Sequence, residues 1–114
     1  HVVQYALLPD ADAAGWATYA RLRELDPIVN NASAAHADRP HEIWAEDFRA
    51  LFGGASANSA GTIENASITY PAQVAGLAGL MQSFAMNAAA TLHVRVLRWC
   101  GGRPAAEPSS TTRS

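Results

Sequence analysis

Glu42 and Glu46 stand one helical turn apart in the segment Arg39-Pro40-His41-Glu42-Ile43-Trp44-Ala45-Glu46-Asp47-Phe48-Arg49-Ala50-Leu51-Phe52-Gly53. With Arg49 they occupy positions i, i+4 and i+7, a charged stripe on one helix face. Trp44, Phe48, Leu51 and Phe52 occupy i, i+4, i+7 and i+8, an apolar stripe on another. Four bulky apolar residues predict a packed helix. Carboxylates on a packed helix require a cationic or metal partner, because an unpaired buried carboxylate is costly. The chemistry that fits is metal ligation by one carboxylate and acceptance of a ligating imidazole N–H by the other. The same spacing also fits a surface Glu pair whose salt-bridge partner is Arg49.

The imidazoles that such a centre would need are few. His1 opens the apolar run Val2-Val3-Gln4-Tyr5-Ala6-Leu7-Leu8 and reads either as an exposed terminus or as the last residue of an upstream motif and a ligand. His36 lies in a polar loop and His41 in the first turn of the Glu42 helix, facing solvent. His93 reads as incidental. His41-Glu42 begins a His-Glu-x-x pair, but Ala45 stands where the second His of a His-Glu-x-x-His zinc helix belongs, so the motif is not complete in that helix. No Ser/His/Asp order and no Gly-rich phosphate loop is present.

These residues must be positioned by helices. Val2 to Leu8 reads as a helix ended by Pro9. Asp10 suits the N-cap of a second helix through Leu25, with Trp16, Tyr19 and Ala20 inward and Arg21, Arg23 and Glu24 in solvent. Gly15 weakens that helix by roughly 1 kcal/mol against Ala, and Asp26-Pro27 stops it. Pro40 fits the first turn of the third helix and Gly53-Gly54 its end. Residues 55–70 read as a loop in which Thr62 to Tyr70 can form a short strand. Pro71 opens a fourth helix through Val74, Leu77, Leu80, Met81 and Phe84. Ala88 to Trp99 either continues it or gives a strand over Leu92 to Leu97. The expected fold is therefore mainly α, a small array of three to four helices. It comprises a helical unit over 1–84, an undecided helix or strand over 85–100, and an unstructured tail over 101–114 rich in Pro, Ser and Thr.

Composition narrows the partners. With 114 residues and 49% hydrophobic content the chain suits one domain. A formal net charge of −2 with its basic residues scattered gives no electrostatic case for nucleic acid. No apolar run approaches the roughly 18 residues of a membrane span. The lone Cys100 excludes an internal disulfide and a multi-cysteine zinc site. Asn31-Ala32-Ser33 and Asn65-Ala66-Ser67 match the glycosylation pattern, a common chance occurrence.

The Arg39 to Gly53 segment resembles the downstream glutamate helix of gluzincin metallopeptidases, in particular the group related to anthrax-lethal-factor-type and other small bacterial zinc peptidases. There Glu, two bulky residues, Ala, Glu, any residue and Phe follow a His-Glu-x-x-His helix after a few dozen residues. The resemblance covers about residues 1 to 84 and makes this chain the C-terminal half of a zincin-like catalytic domain. It implies that His1 is the second His of the zinc helix and a zinc ligand, that Glu42 is the third protein ligand, and that Glu46 is the outer-shell acceptor for a ligating His. His36 is the candidate for the donor near the substrate carbonyl. The cofactor implied is zinc and the partner a peptide or protein substrate. The first His and the general-base Glu of the zinc helix are not in the sequence, so the expected product is the C-terminal part of a peptidase. Two other readings remain open: a non-catalytic helical interaction domain with a carboxylate and Arg surface, and copper chelation by the His1 amine and ring with His36 or His41.

Overall fold

A computed structural model describes residues 1–100; the predicted tail over 101–114 lies outside the described residues. Four α-helices follow in order: α1 (Val2–Leu7), α2 (Ala13–Arg23), α3 (Pro40–Phe52) and α4 (Leu77–Cys100), with 3-10 turns at His36–Asp38 and Pro71–Gln73. The mainly helical class expected from the sequence is the one observed, and no strand occurs among the described residues.

Each helix has a local cause. Pro9 ends α1, and the buried Gln4 side chain donates to the Leu8 carbonyl at 2.8 Å, satisfying an end that helix geometry leaves open. The cap of α2 is Asp12, not the expected Asp10: its carboxylate accepts the Gly15 N–H at 2.9 Å. Asp10 is taken instead by Gln4 and His41. Pro40 occupies the first turn of α3, as its preset φ favours. At the other end, the Asn58 side-chain amide donates to the carbonyls of Arg49 and Gly53 at 3.2 and 3.0 Å, capping the helix from the loop that follows.

Two stretches differ from expectation. The fourth helix begins at Leu77, six residues after Pro71, because Gly76 sits at φ +82°, a turn conformation that suits glycine. The stretch Thr62 to Tyr70 is a loop, not a strand. Asn65 Oδ1 accepts the Ser67 N–H at 2.9 Å, so a side chain closes a local turn where a strand would need a neighbouring backbone. Leu92 to Leu97, the other candidate strand, continues α4 as helix.

The core is Leu8, Tyr19, Ile43, Trp44, Leu77, Met81 and Phe84. The helices α1 and α3 meet, and α4 packs on α1 and α2. The buried face of α3 is Ile43, Trp44 and Asp47. The expected stripe is therefore rotated: Phe48 and Leu51 pack only partly and Phe52 is 39% exposed. Beyond Phe84, α4 leaves the body with Met86, Leu92 and Trp99 exposed. No described helix is long and apolar enough to cross a membrane.

Candidate functional site

Glu42, in the first turn of α3, is the hub of an imidazole–carboxylate chain. Its Oε2 lies 2.6 Å from His1 Nε2 and its Oε1 lies 3.0 Å from His36 Nε2. Helix α1 delivers His1 because its N-terminal end rests beside α3, and the 3-10 turn just before Pro40 delivers His36. On its other side the His36 ring meets a residue that sequence reasoning passed over: Nδ1 stands 3.0 Å from both carboxylate oxygens of Glu64. The order in space is His1, Glu42, His36, Glu64. The Glu42 side chain is 19% exposed and that of His1 41%, so both donors reach solvent.

Glu46, one turn on, belongs to a different assembly. Arg49 Nε and Nη2 donate to its two oxygens at 3.0 Å each, and the Glu64 backbone N–H donates to Oε2 at 2.9 Å. No hydrogen bond joins Glu46 to His1 among the described residues. The Arg49 fork holds the Glu46 carboxyl below its ordinary range against partial burial, with the Glu64 N–H assisting, and Glu46 in turn raises the Arg49 guanidinium. Arg49 also donates to the carbonyls of Ala57 and Thr62 and to Asn58 Oδ1, all at 2.9 Å. The expected Glu46–Arg49 pair thus does more than decorate a surface: it straps the loop 53–64 across α3 and sets Glu64 against His36.

His41 is not simply solvent-facing. Its ring lies on Trp16, centroids 4.6 Å apart, and its Nε2 is 2.9 Å from Asp10 Oδ1, which ties the α1–α2 corner to α3. His93 is exposed on the outer part of α4. Arg23, expected in solvent, is 4% exposed and pairs with Asp47 from within the core. Asn65, the acceptor of the second glycosylation pattern, is buried with its amide donating to Ala37 O and Asp38 Oδ1 at 2.8 and 2.9 Å, so the folded chain withholds it from modification.

Imidazole nitrogen and carboxylate oxygen are a donor set that zinc accepts. His1 and Glu42 present such a pair within contact distance. Among the described residues, no group of three His, Cys, Asp or Glu side chains is close enough to hold a metal ion. His1 and Glu42 are two such side chains in contact, where a catalytic zinc centre takes three from protein.

Asp47 falls four residues after Ile43 on the same face, but that spacing marks a buried carboxylate only once Ile43 is known to face the core. Glu64 carried no periodic signal, since it sits in an aperiodic loop. No family model, curated protein or solved structure matches this chain, so the reading of the site rests on its own geometry.

Proposed function

We propose that the chain carries the C-terminal half of a zinc-dependent metallopeptidase centre, with His1 and Glu42 as two of its three protein ligands. The remaining His and the general-base Glu would come from a His-Glu-x-x turn immediately ahead of His1, one helical turn back along α1. The observation that carries this reading is that Glu42 and His1 meet across α1 and α3, their Oε2 and Nε2 in direct contact at 2.6 Å, a contact that a zinc ion would open to take both as ligands. Residues 41 apart in sequence meet there as a partly exposed nitrogen and oxygen pair of the required type.

Zinc bound between such ligands polarises a scissile carbonyl and lowers the pKa of its water. The chain's own residues prepare that place. Pro40 starts α3 so that Glu42 projects from its first turn toward His1. A carboxylate offers about four acceptor positions. Glu46 spends three on Arg49 and Glu64, which leaves one on Oε1 for the N–H of a ligating His. His36 stands beside Glu42 as the donor candidate.

Lengthening the chain by His-Glu-Ala-Ala ahead of His1 tests the proposal. Zinc affinity, measured by competition with a chromogenic chelator, should rise sharply, and an unstructured peptide should be cleaved. Glu42→Ala should abolish both, and Glu46→Ala should lower affinity by roughly 10–100-fold. An extended chain that binds zinc no better than the parent overturns the reading. That result favours the alternative, a non-catalytic helical interaction domain, for which the exposed Leu92 and Trp99 of α4 speak.

A further inference from the structure

We propose that the outer half of α4 is the interface of a symmetric antiparallel dimer. In it, α4 of a second copy of this chain lies in the groove between α1 and α4, whether or not the chain binds zinc.

One face of α4 starts in the core and runs out of it. Leu77, Met81 and Phe84 share a narrow arc of the helix and are buried. Ala88, Leu92, Arg95 and Trp99 continue that arc at steps of four, four, three and four residues. Past Phe84 no other described element covers it, and Trp99 is 86% exposed. The α1–α2 corner stands opposite as a second wall. Tyr5, Leu7 and Asp12 on that corner face Ala88, Leu92 and Arg95 across an open groove of about 840 Å³. A helical turn 10 Å across and 5.4 Å high fills roughly 420 Å³, so the groove accommodates about two turns of helix.

Size and charge both select α4 itself as the occupant. The inner part of the uncovered face is small, with Ala85 and Ala88, and the outer part is bulky, with Leu92, Val96 and Trp99. With a two-fold axis beside Leu92, Trp99 of the second copy stands opposite Ala85, and Val96 of the second copy opposite Ala88. Bulky residues then meet small ones at each level. The helix carries Arg95 and Arg98 and no carboxylate. Among the described residues neither arginine forms a salt bridge. The corner offers the exposed Asp10 and Asp12. Antiparallel pairing brings the arginines of each copy back toward the other's corner. Parallel pairing would set Trp99 on Trp99 and Arg95 on Arg95, like charges with no acid on the helix between them. The area suffices. Trp99 and Tyr5 each bury roughly 150–250 Å² on contact, together about half of the roughly 800 Å² that each partner gives a standard interface. Leu92, Val96 and the arginine stems add to it.

The full chain as it stands serves for the test. Sedimentation equilibrium from about 1 μM to 1 mM should show the 12.0 kDa monomer giving way to a species of twice that mass. A nitroxide on Cys100, the single thiol, reads the arrangement by electron spin resonance. Each label lies eight residues from the axis, so the two are about 24 Å apart along an antiparallel pair. In a parallel pair they are about 10 Å apart. Leu92→Glu and Trp99→Ala should each raise the dissociation constant by about 30-fold or more, the effect of losing a central anchor. Asp12→Ser keeps a capping oxygen for α2 while removing the charge, and should raise it by about threefold to tenfold. Circular dichroism of dilute Leu92→Glu and Trp99→Ala should match the parent, since both residues are exposed in the monomer. A chain that stays monomeric over the whole range overturns the proposal. So do labels at the parallel spacing, or a dimer indifferent to Leu92→Glu.

Discussion

Arg23 Nε and Nη2 each donate to Asp47 at 2.9 Å, with side chains 1% and 0% exposed, and the Tyr19 hydroxyl donates to the same carboxylate at 2.6 Å. This cluster locks α2 against α3, the helix that carries Glu42. Burial pushes the Asp47 carboxyl up while Arg23 and Tyr19 pull it down, and burial beside Asp47 raises the Tyr19 hydroxyl well above its ordinary value. The geometry of the site thus depends on an ion pair that touches none of its members.

Arg23→Met leaves the Asp47 carboxylate buried without its cation and should destabilise by about 3–5 kcal/mol. Tyr19→Phe removes one donor and should cost about 1–3 kcal/mol. Arg23→Met combined with Asp47→Leu and Tyr19→Phe should recover much of the loss, because the whole polar cluster is then replaced by apolar volume with no donor left unpaired. Urea titrations of the variants decide it; a loss under about 1 kcal/mol in Arg23→Met would place the pair in solvent.

Gly15→Ala sets two effects against each other. Helix propensity favours Ala by about 1 kcal/mol. A Cβ at this position would stand 2.6 Å from Leu8 Cδ1 and 2.6 Å from Asp12 Oδ2, the carboxylate that caps α2. Packing should win, with a net loss of about 1–3 kcal/mol. A stabilised variant in thermal unfolding would show that the α1–α2 corner yields.

Trp44 is fully buried and stacks on Phe48, centroids 5.5 Å apart and planes 8° from parallel. Trp44→Ala should cost about 3–5 kcal/mol. Its buried indole N–H has no partner among the described residues, so Trp44→Phe also removes an orphan donor and should cost under about 1.5 kcal/mol. Phe48→Ala should fall below the Trp44→Ala loss, since Phe48 is only partly buried. Denaturant midpoints in the reverse order would refute this packing.

The strap over α3 should open in acid. The Glu46 carboxyl is lowered from its ordinary 4.5 by the Arg49 fork and the Glu64 N–H. A group lowered in the folded state stabilises above its unfolded pKa and loses that contribution as pH falls through the folded value. Protection of the Glu64 amide from hydrogen exchange should therefore hold at neutral pH and collapse below 4.5. Arg49→Met should remove the protection at every pH. An amide whose exchange shows no break in that window would detach Glu64 from Glu46.

Local rules settled the helices. Pro9, Pro40 and Gly53-Gly54 act on the residues beside them, and the apolar spacing of Leu77, Met81 and Phe84 needs only a 3.6-residue period. The charged stripe of Glu42, Glu46 and Arg49 was legible for the same reason, as was the Glu46–Arg49 pair within one turn. Which face of α3 is buried was not legible, because the choice between Phe52 and Asp47 depends on Arg23 and Tyr19 arriving from α2. Nor was the chain of His1, Glu42, His36 and Glu64. Its members come from a helix end, a first turn, a 3-10 turn and an aperiodic loop; the His36–Glu42 link spans six positions, but the His1–Glu42 and His36–Glu64 links span 41 and 28 and exist only through tertiary packing. Periodicity encodes which way a side chain points on its own element; what it meets there is decided by how the elements pack.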